Sequence, residues 1–202
     1  GYLIGGVPNG LPSGAHAGSS EAPFVIEGDE YDSAFFDKRS KFIHYCPNIL
    51  VLNNLEFDHA DIFRDLQDVG RSFTHLIKLV PRSGWIVANS DDPAVEELLH
   101  IDWSPVRRVG LGERADLRIM DYGEDERGSS FNLVYRGTHW ARIEWPVWGL
   151  YNARNAAMAS LACALAQSPQ GPLTFNPESL NQYAGVKRRQ EVLAADAGRC
   201  VL

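Results

Sequence analysis

Long apolar runs are missing from this chain of 202 residues. None approaches the roughly 20 residues that a membrane span needs, and no segment reads as a signal peptide. A surplus of positive charge is missing as well: 19 Lys and Arg face 26 Asp and Glu, a formal net charge of -7. That balance argues against non-specific nucleic-acid binding, which needs a basic face. A nucleotide ligand stays open, because a metal ion and a few placed basic groups can hold one phosphate chain. Cysteine is scarce. Cys46, Cys163 and Cys200 are scattered with no CxxC pair, which speaks against a zinc site and fits a reducing, cytoplasmic setting. The Gly-rich opening segment contains no GxxxxGK[ST] and so is not a phosphate loop. There is no internal repeat.

What is present is enough apolar sequence for one substantial domain, or a domain plus a piece of another. Tyr2 to Ile4 reads as the end of a strand and the rest of the first 22 residues as loop. Phe24 to Glu27 and Ile49 to Asn53 read as short buried strands. Between them, Tyr31 to Tyr45 reads as a turn or short helix, with Phe35, Phe36 and Phe42 expected in the core. Leu66, Val69, Phe73, Leu76, Ile77 and Val80 recur at helical spacing after Asp65, and Pro81 ends that helix. Trp85 to Ala88 is a third strand. Asp91 or Asp92 then caps a helix that Pro93 opens, and Val106 to Leu111 is a fourth strand. Strands alternating with helices imply a parallel sheet with right-handed crossovers. The pattern then changes. Three short segments, residues 115–122, 130–135 and 139–145, look antiparallel, with Arg136-Gly137-Thr138 as a hairpin turn. Tyr151 to Ala166 is Ala-rich and helical, and Pro177 to Tyr183 is a further helix. The expected class is α/β: a mostly parallel sheet flanked by helices, with a small antiparallel β subsection. Residue 1 is not Met, and Arg199 to Leu202 reads as the start of a strand, so an excised fragment is expected.

The chemistry gathers at two strand ends. The Phe24 strand delivers Glu27, Asp29, Glu30 and Asp32; the Ile49 strand delivers Asn53, Asn54, Glu56, Asp58, His59 and Asp61. Ligands of open α/β sheets collect outside the carboxyl ends of strands. If these two strands are neighbours, their carboxylates repel unless a cation sits between them. Oxygen ligands with an occasional imidazole suit Mg2+ or Mn2+.

Four stretches in order, FVIEGDEYD, NNLEFDHAD, GLYNARNAA and GVKRRQE, resemble the Mur ligase family. Within it, the segment FFDKRSKF resembles the branch that adds a recycled tripeptide rather than L-alanine. The resemblance spans essentially the whole chain. It implies the central ATP-binding domain, P-loop NTPase-like, over residues 1–192, without its N-terminal phosphate loop. Residues 193–202 would begin the C-terminal ligand-binding domain. The implied reaction is ATP-dependent amide formation between UDP-N-acetylmuramate and L-alanyl-γ-D-glutamyl-meso-diaminopimelate, through an acyl phosphate, with ATP and Mg2+. The isolated fragment is expected to be inactive.

The resemblance also assigns roles. Glu27 and His59 are expected to bind Mg2+. Asp58 either orients His59 or shapes the acyl-phosphate site, and Asp61 equally suits capping of the next helix. Asn152 and Asn155, three apart on one helical face, are expected at the adenine edge, for which an amide offers a donor and an acceptor. The family more often has His where this chain has Tyr151. Arg188 and Arg189 form a basic pair, and Arg189 is expected at the ribose or phosphates of ATP. Lys41 is a candidate for the carbamylated lysine that some members use to hold a second Mg2+. A surface lysine is the simpler alternative, and Lys38 is nearby. Three rivals remain at this level: the L-alanine-adding ligase, a metal-dependent hydrolase built on Glu27, Asp58 and His59, and a non-catalytic nucleotide-binding module.

Overall fold

The structure, a computed structural model, describes residues 1–57, 62–187, 194–196 and 199–201. Asp58, His59, Asp61, Arg188 and Arg189 lie outside the described residues. The chain opens with β1 (Tyr2–Leu3), β2 (Ala15–His16) and β3 (Val25–Ile26), which form a small sheet in the order β2-β1-β3. β4 (Asp32–Ala34) and β5 (Asp37–Ser40) make a hairpin, followed by a 3-10 turn at Lys41–His44. Next come β6 (Ile49–Leu52), α1 (Leu66–Leu79), β7 (Trp85–Asn89), α2 (Pro93–Leu98) and β8 (Val106–Gly110). The meander β9 (Leu117–Asp125), β10 (Gly128–Tyr135) and β11 (Thr138–Trp145) leads into α3 (Leu150–Gln167). Two 3-10 turns, Pro172–Thr174 and Pro177–Gln182, and a hairpin of β12 (Ala194–Asp196) and β13 (Arg199–Val201) complete the described elements.

The main sheet has six strands in the order β11-β10-β9-β8-β7-β6. From β6 to β9 the pairing is parallel; β9, β10 and β11 are antiparallel. The α/β reading therefore holds, and β9 joins both halves. Right-handed crossovers that step steadily in one direction put their helices on one face. Accordingly α1 and α2 share a core with Leu50, Leu52, Ile86 and Ala88. The other face belongs to α3, which packs on Val87, Val109, Leu117, Phe131 and Ile143. Burial on both faces explains why β7 is a continuous apolar run and does not alternate. Ile86, Val87 and Ala88 are fully buried.

Local signals set the element ends as expected. Asp65 caps α1, its side chain accepting from Asp68 N at 2.8 Å. Asp92 caps α2, accepting from Ala94 N at 2.9 Å and Val95 N at 3.1 Å. Its other oxygen accepts from Leu55 N at 3.1 Å, which ties the loop after β6 to the start of α2. Arg136 and Gly137 both have positive φ, 48° and 82°, the conformation that suits a two-residue hairpin.

Four expectations are corrected. The loop of the first 22 residues contains a strand, β2, paired antiparallel with β1. Phe24 to Glu27 is not buried: Phe24 is 53% and Val25 58% exposed, because β3 pairs only with β1 among the described strands and no helix covers it. For the same reason β3 and β6 are not neighbours; they belong to different sheets. Finally, Tyr31 to Tyr45 is a hairpin plus a 3-10 turn, and its aromatics divide. Phe42 is buried against Phe73, with ring centroids 5.5 Å apart and edge-to-face. Phe35 and Phe36 sit on the hairpin turn at 92% and 91% exposure.

Candidate nucleotide and metal site

The parallel strands β6, β7 and β8 all end at one edge of the main sheet, and the first turns of α3 lie over that edge. The antiparallel meander delivers the helix there. Trp148 Nε1 donates to Asp125 O at 2.9 Å, and Gly149 N donates to Glu124 Oε1 at 2.8 Å. Tyr122 donates its hydroxyl to the same Glu124 oxygen. Burial first, then this hydrogen bond, pushes the Tyr122 pKa up to about 12, while the Tyr122 hydroxyl and the Gly149 N–H hold Glu124 below the usual carboxylate range. Gly149 has a φ of 95°, and the Tyr151 ring lies so close to it that an added Cβ would clash. The positive φ favours glycine there, and any larger residue would also displace the Tyr151 ring.

On α3 the two asparagines have different partners. Asn152 donates to the Trp148 carbonyl at 2.7 Å, one turn back, which is a helix-end contact. Exposed Asn155 accepts from Asn53 Nδ2 at the end of β6. Once those two carboxamides pair, Asn155 keeps its N–H2 donors and Asn53 its Oδ1 acceptor. A donor beside an acceptor is the complement of an adenine edge. At the neighbouring strand end, Asp91 accepts from Arg154 Nε at 3.1 Å and Nη2 at 3.0 Å, and from Leu111 N at 3.1 Å. Residue types alone could not single out Arg154 or the Asn53–Asn155 pair. A run such as Asn89-Ser90-Asp91-Asp92 reads as an ordinary turn until α3 is placed over it.

Glu27 follows β3 and accepts from Gly5 N. Its side chain is exposed, and a carboxylate with one N–H partner retains lone pairs for a cation. No group of three or more metal-ligating side chains occurs among the described residues. His59, the other expected metal ligand, lies outside the described residues. The stretch around Val7 does meet the far end of the chain: Lys187 N donates to Val7 O at 3.0 Å and Asn9 N to Gly185 O at 2.9 Å. Lys41 donates to Asp29 Oδ2 at 3.1 Å and lies 5.1 Å from the Tyr31 ring centroid. The hydrogen bond to Asp29 raises its pKa. Two open depressions of about 410 and 540 Å3 meet around Asp102 and Trp103 at the opposite, amino-terminal end of the parallel strands.

Comparison with known proteins agrees with this architecture. The model of the Mur ligase middle domain matches residues 17–164. The chain belongs to the Mur ligase family, and its residues 17–164 match that family's middle domain. Within the family it is similar to the UDP-N-acetylmuramate–L-alanyl-γ-D-glutamyl-meso-2,6-diaminoheptandioate ligase of Escherichia coli K12, 42% identical over 163 residues, which are 80% of this chain and 35% of that protein. The crystal structure of the corresponding ligase from Neisseria meningitides matches with a TM-score of 0.73 and 38% identity, over 93% of this chain and 58% of that one. The UDP-N-acetylmuramate–L-alanine ligase of Desulfitobacterium hafniense is 32% identical over 97% of this chain and 41% of its own length. The chain thus spans roughly two-fifths or less of the curated relatives it matches.

Proposed function

We propose that this chain is the ATP-binding part of a ligase that joins UDP-N-acetylmuramate to L-alanyl-γ-D-glutamyl-meso-diaminopimelate in murein recycling. The observation that carries the nucleotide half of this reading is the Asn53–Asn155 carboxamide pair at the carboxyl edge of the parallel sheet. The tripeptide half is supported by the higher identity to the tripeptide-adding relative, 42% against 32% for the L-alanine-adding one.

In this reading the substrate carboxylate takes the γ-phosphoryl group of ATP, ADP leaves, and the amine of the tripeptide displaces phosphate from the acyl phosphate. Phosphoryl transfer asks a protein mainly for positioning and for neutralisation of the phosphate oxygens. Glu27 and His59 would hold Mg2+, which supplies that neutralisation when bound. Asn53 and Asn155 set the base, Arg189 reaches the ribose or phosphates, and Asp58 serves the acyl-phosphate site. Lys41, which hydrogen-bonds to Asp29, is the candidate for the lysine that would help hold a second Mg2+ once carbamylated. The setting is cytoplasmic, in keeping with the three scattered cysteines. No described helix is long and apolar enough to cross a membrane.

The test is ADP release by the intact protein given UDP-N-acetylmuramate, Mg-ATP and either the tripeptide or L-alanine. Turnover with the tripeptide, lost in Glu27→Ala, is expected. Turnover with L-alanine alone would overturn the substrate assignment, and hydrolysis that needs no ATP would return the metal-dependent hydrolase.

A further inference from the structure

The first half of α3 carries the asparagines, and apart from the partly buried Leu150 it is seated on small side chains. Its buried residues there are Ala153, Ala156 and Ala157, and the first larger buried side chain is Met158. Small side chains interlock less than large ones, so polar contacts carry more of the positioning at this end, while Met158, Leu161 and Leu165 seat the rest of the helix. The cap residue, Gly149, has no side chain of its own to cap with, and its N–H is held by Glu124 of β9. Two consecutive residues reach out to different strands. Asn155 meets Asn53 at the end of β6, and Arg154 meets Asp91 after β7. Successive helical residues point about 100° apart, so the two contacts together fix a rotation that neither fixes alone.

The Asp91 carboxylate is itself held in place. Its oxygens accept from Leu111 N at 3.1 Å, and its backbone N donates to Asn89 Oδ1 at 2.9 Å. The end of β8 packs directly onto it: a Cβ added at Gly110 would lie 2.6 Å from Asp91 Oδ1 and 2.5 Å from Ser90 Oγ. The Asp91 and Arg154 side chains are 21% and 20% exposed, so the pair is shielded enough to hold its geometry.

We propose that Asp91 and Arg154 form a positioning clamp for nucleotide selection: they set the rotation of α3 so that Asn155 meets Asn53 and the two carboxamides face the base as one donor–acceptor edge. This rests on the nucleotide reading above. Neither residue needs to touch the nucleotide. Adenine offers a donor and an acceptor side by side, whereas the corresponding edge of guanine offers two acceptors, so a mis-set pair should lose preference as well as affinity.

The experiment is titration of the intact protein, with Mg2+, against ribose-labelled fluorescent ATP and GTP. The variants are Asp91→Asn, Arg154→Gln and their combination. Asp91→Asn keeps an acceptor for Leu111 N and so preserves the strand ends. Each single change is expected to weaken ATP binding roughly tenfold, the worth of about one hydrogen bond, and to narrow the ATP-to-GTP ratio by a similar factor. The double variant should be no worse than the weaker single, because the two changes remove one shared interaction. Arg154→Lys, which keeps the charge and gives up the two-nitrogen grip, should lose the same selectivity without a change in melting temperature. Additive losses, or a loss on changing Arg154 with none on changing Asp91, would mean that Arg154 acts on the nucleotide directly and would overturn the clamp. Binding of neither nucleotide by the unaltered protein would overturn the nucleotide reading, and the clamp with it.

Discussion

Phe35, Phe36 and Phe42 lie within eight positions of one another, and their side chains have opposite fates. Phe42 is 2% exposed and packed edge-to-face on Phe73; Phe35 and Phe36 are over 90% exposed on the turn between β4 and β5. Phe42→Ala should therefore cost about 3 to 5 kcal/mol, while Phe35→Ala should change stability by roughly 0.5 kcal/mol or less. Urea denaturation of the two variants side by side checks both values. The preference of aromatic residues for the interior predicts all three in the core. A two-residue turn overrides that preference, since both its side chains point away from the strands whatever their polarity. The paired acids and amides show the same limit. Asp92 was legible as a cap from its place one residue before Pro93. The adjacent Asp91 was legible only as another capping option, because its partner Arg154 is 63 residues away.

At the scale of elements, α1, β7, α2, β8 and α3 fall where periodicity and caps place them. The elements that differ are the short, exposed ones near the start of the chain, where two or three residues form a strand only because a partner pairs with them. The start of α3 offers a test. Tyr122 lies on β9 and hydrogen-bonds to Glu124, which accepts from Gly149 N at the helix cap. Its pKa stands at about 12 in the fold, against 10.0 for an ordinary tyrosine. A raised pKa favours the protonated form in the folded state. The stabilisation is thus complete below pH 10 and is lost as pH rises from 10 towards 12. Tyr122→Phe should remove that part of the alkaline loss, seen as a flatter melting temperature over this range; an unchanged alkaline limb would show that Tyr122 does not titrate with folding.

Among the described residues, two cores lie on opposite faces of one sheet, with the β2-β1-β3 sheet and the β4–β5 hairpin outside both. Amide hydrogen exchange should follow this division. The amides of β7 and β8, flanked by strands and covered on both faces, should exchange slowest, and those of the β4–β5 hairpin among the fastest. Equal protection in the two regions would contradict the layering.

By itself the sequence determined the α/β class, the succession of the main helices and strands, their caps and turns, and the family. These depend on residues close together in the chain: a period of 3.6, an Asp before a Pro, an Arg-Gly turn, or four motifs in order. Only the tertiary structure decided that β3 and β6 lie in separate sheets, that Phe35 and Phe36 face solvent, and that Asn155 meets Asn53 while Arg154 meets Asp91. Those contacts join residues 63 and 102 positions apart. Their geometry comes from stacking α3 across the strand ends, and no local pattern encodes where a helix comes to rest once the six strands of the main sheet and two helices precede it.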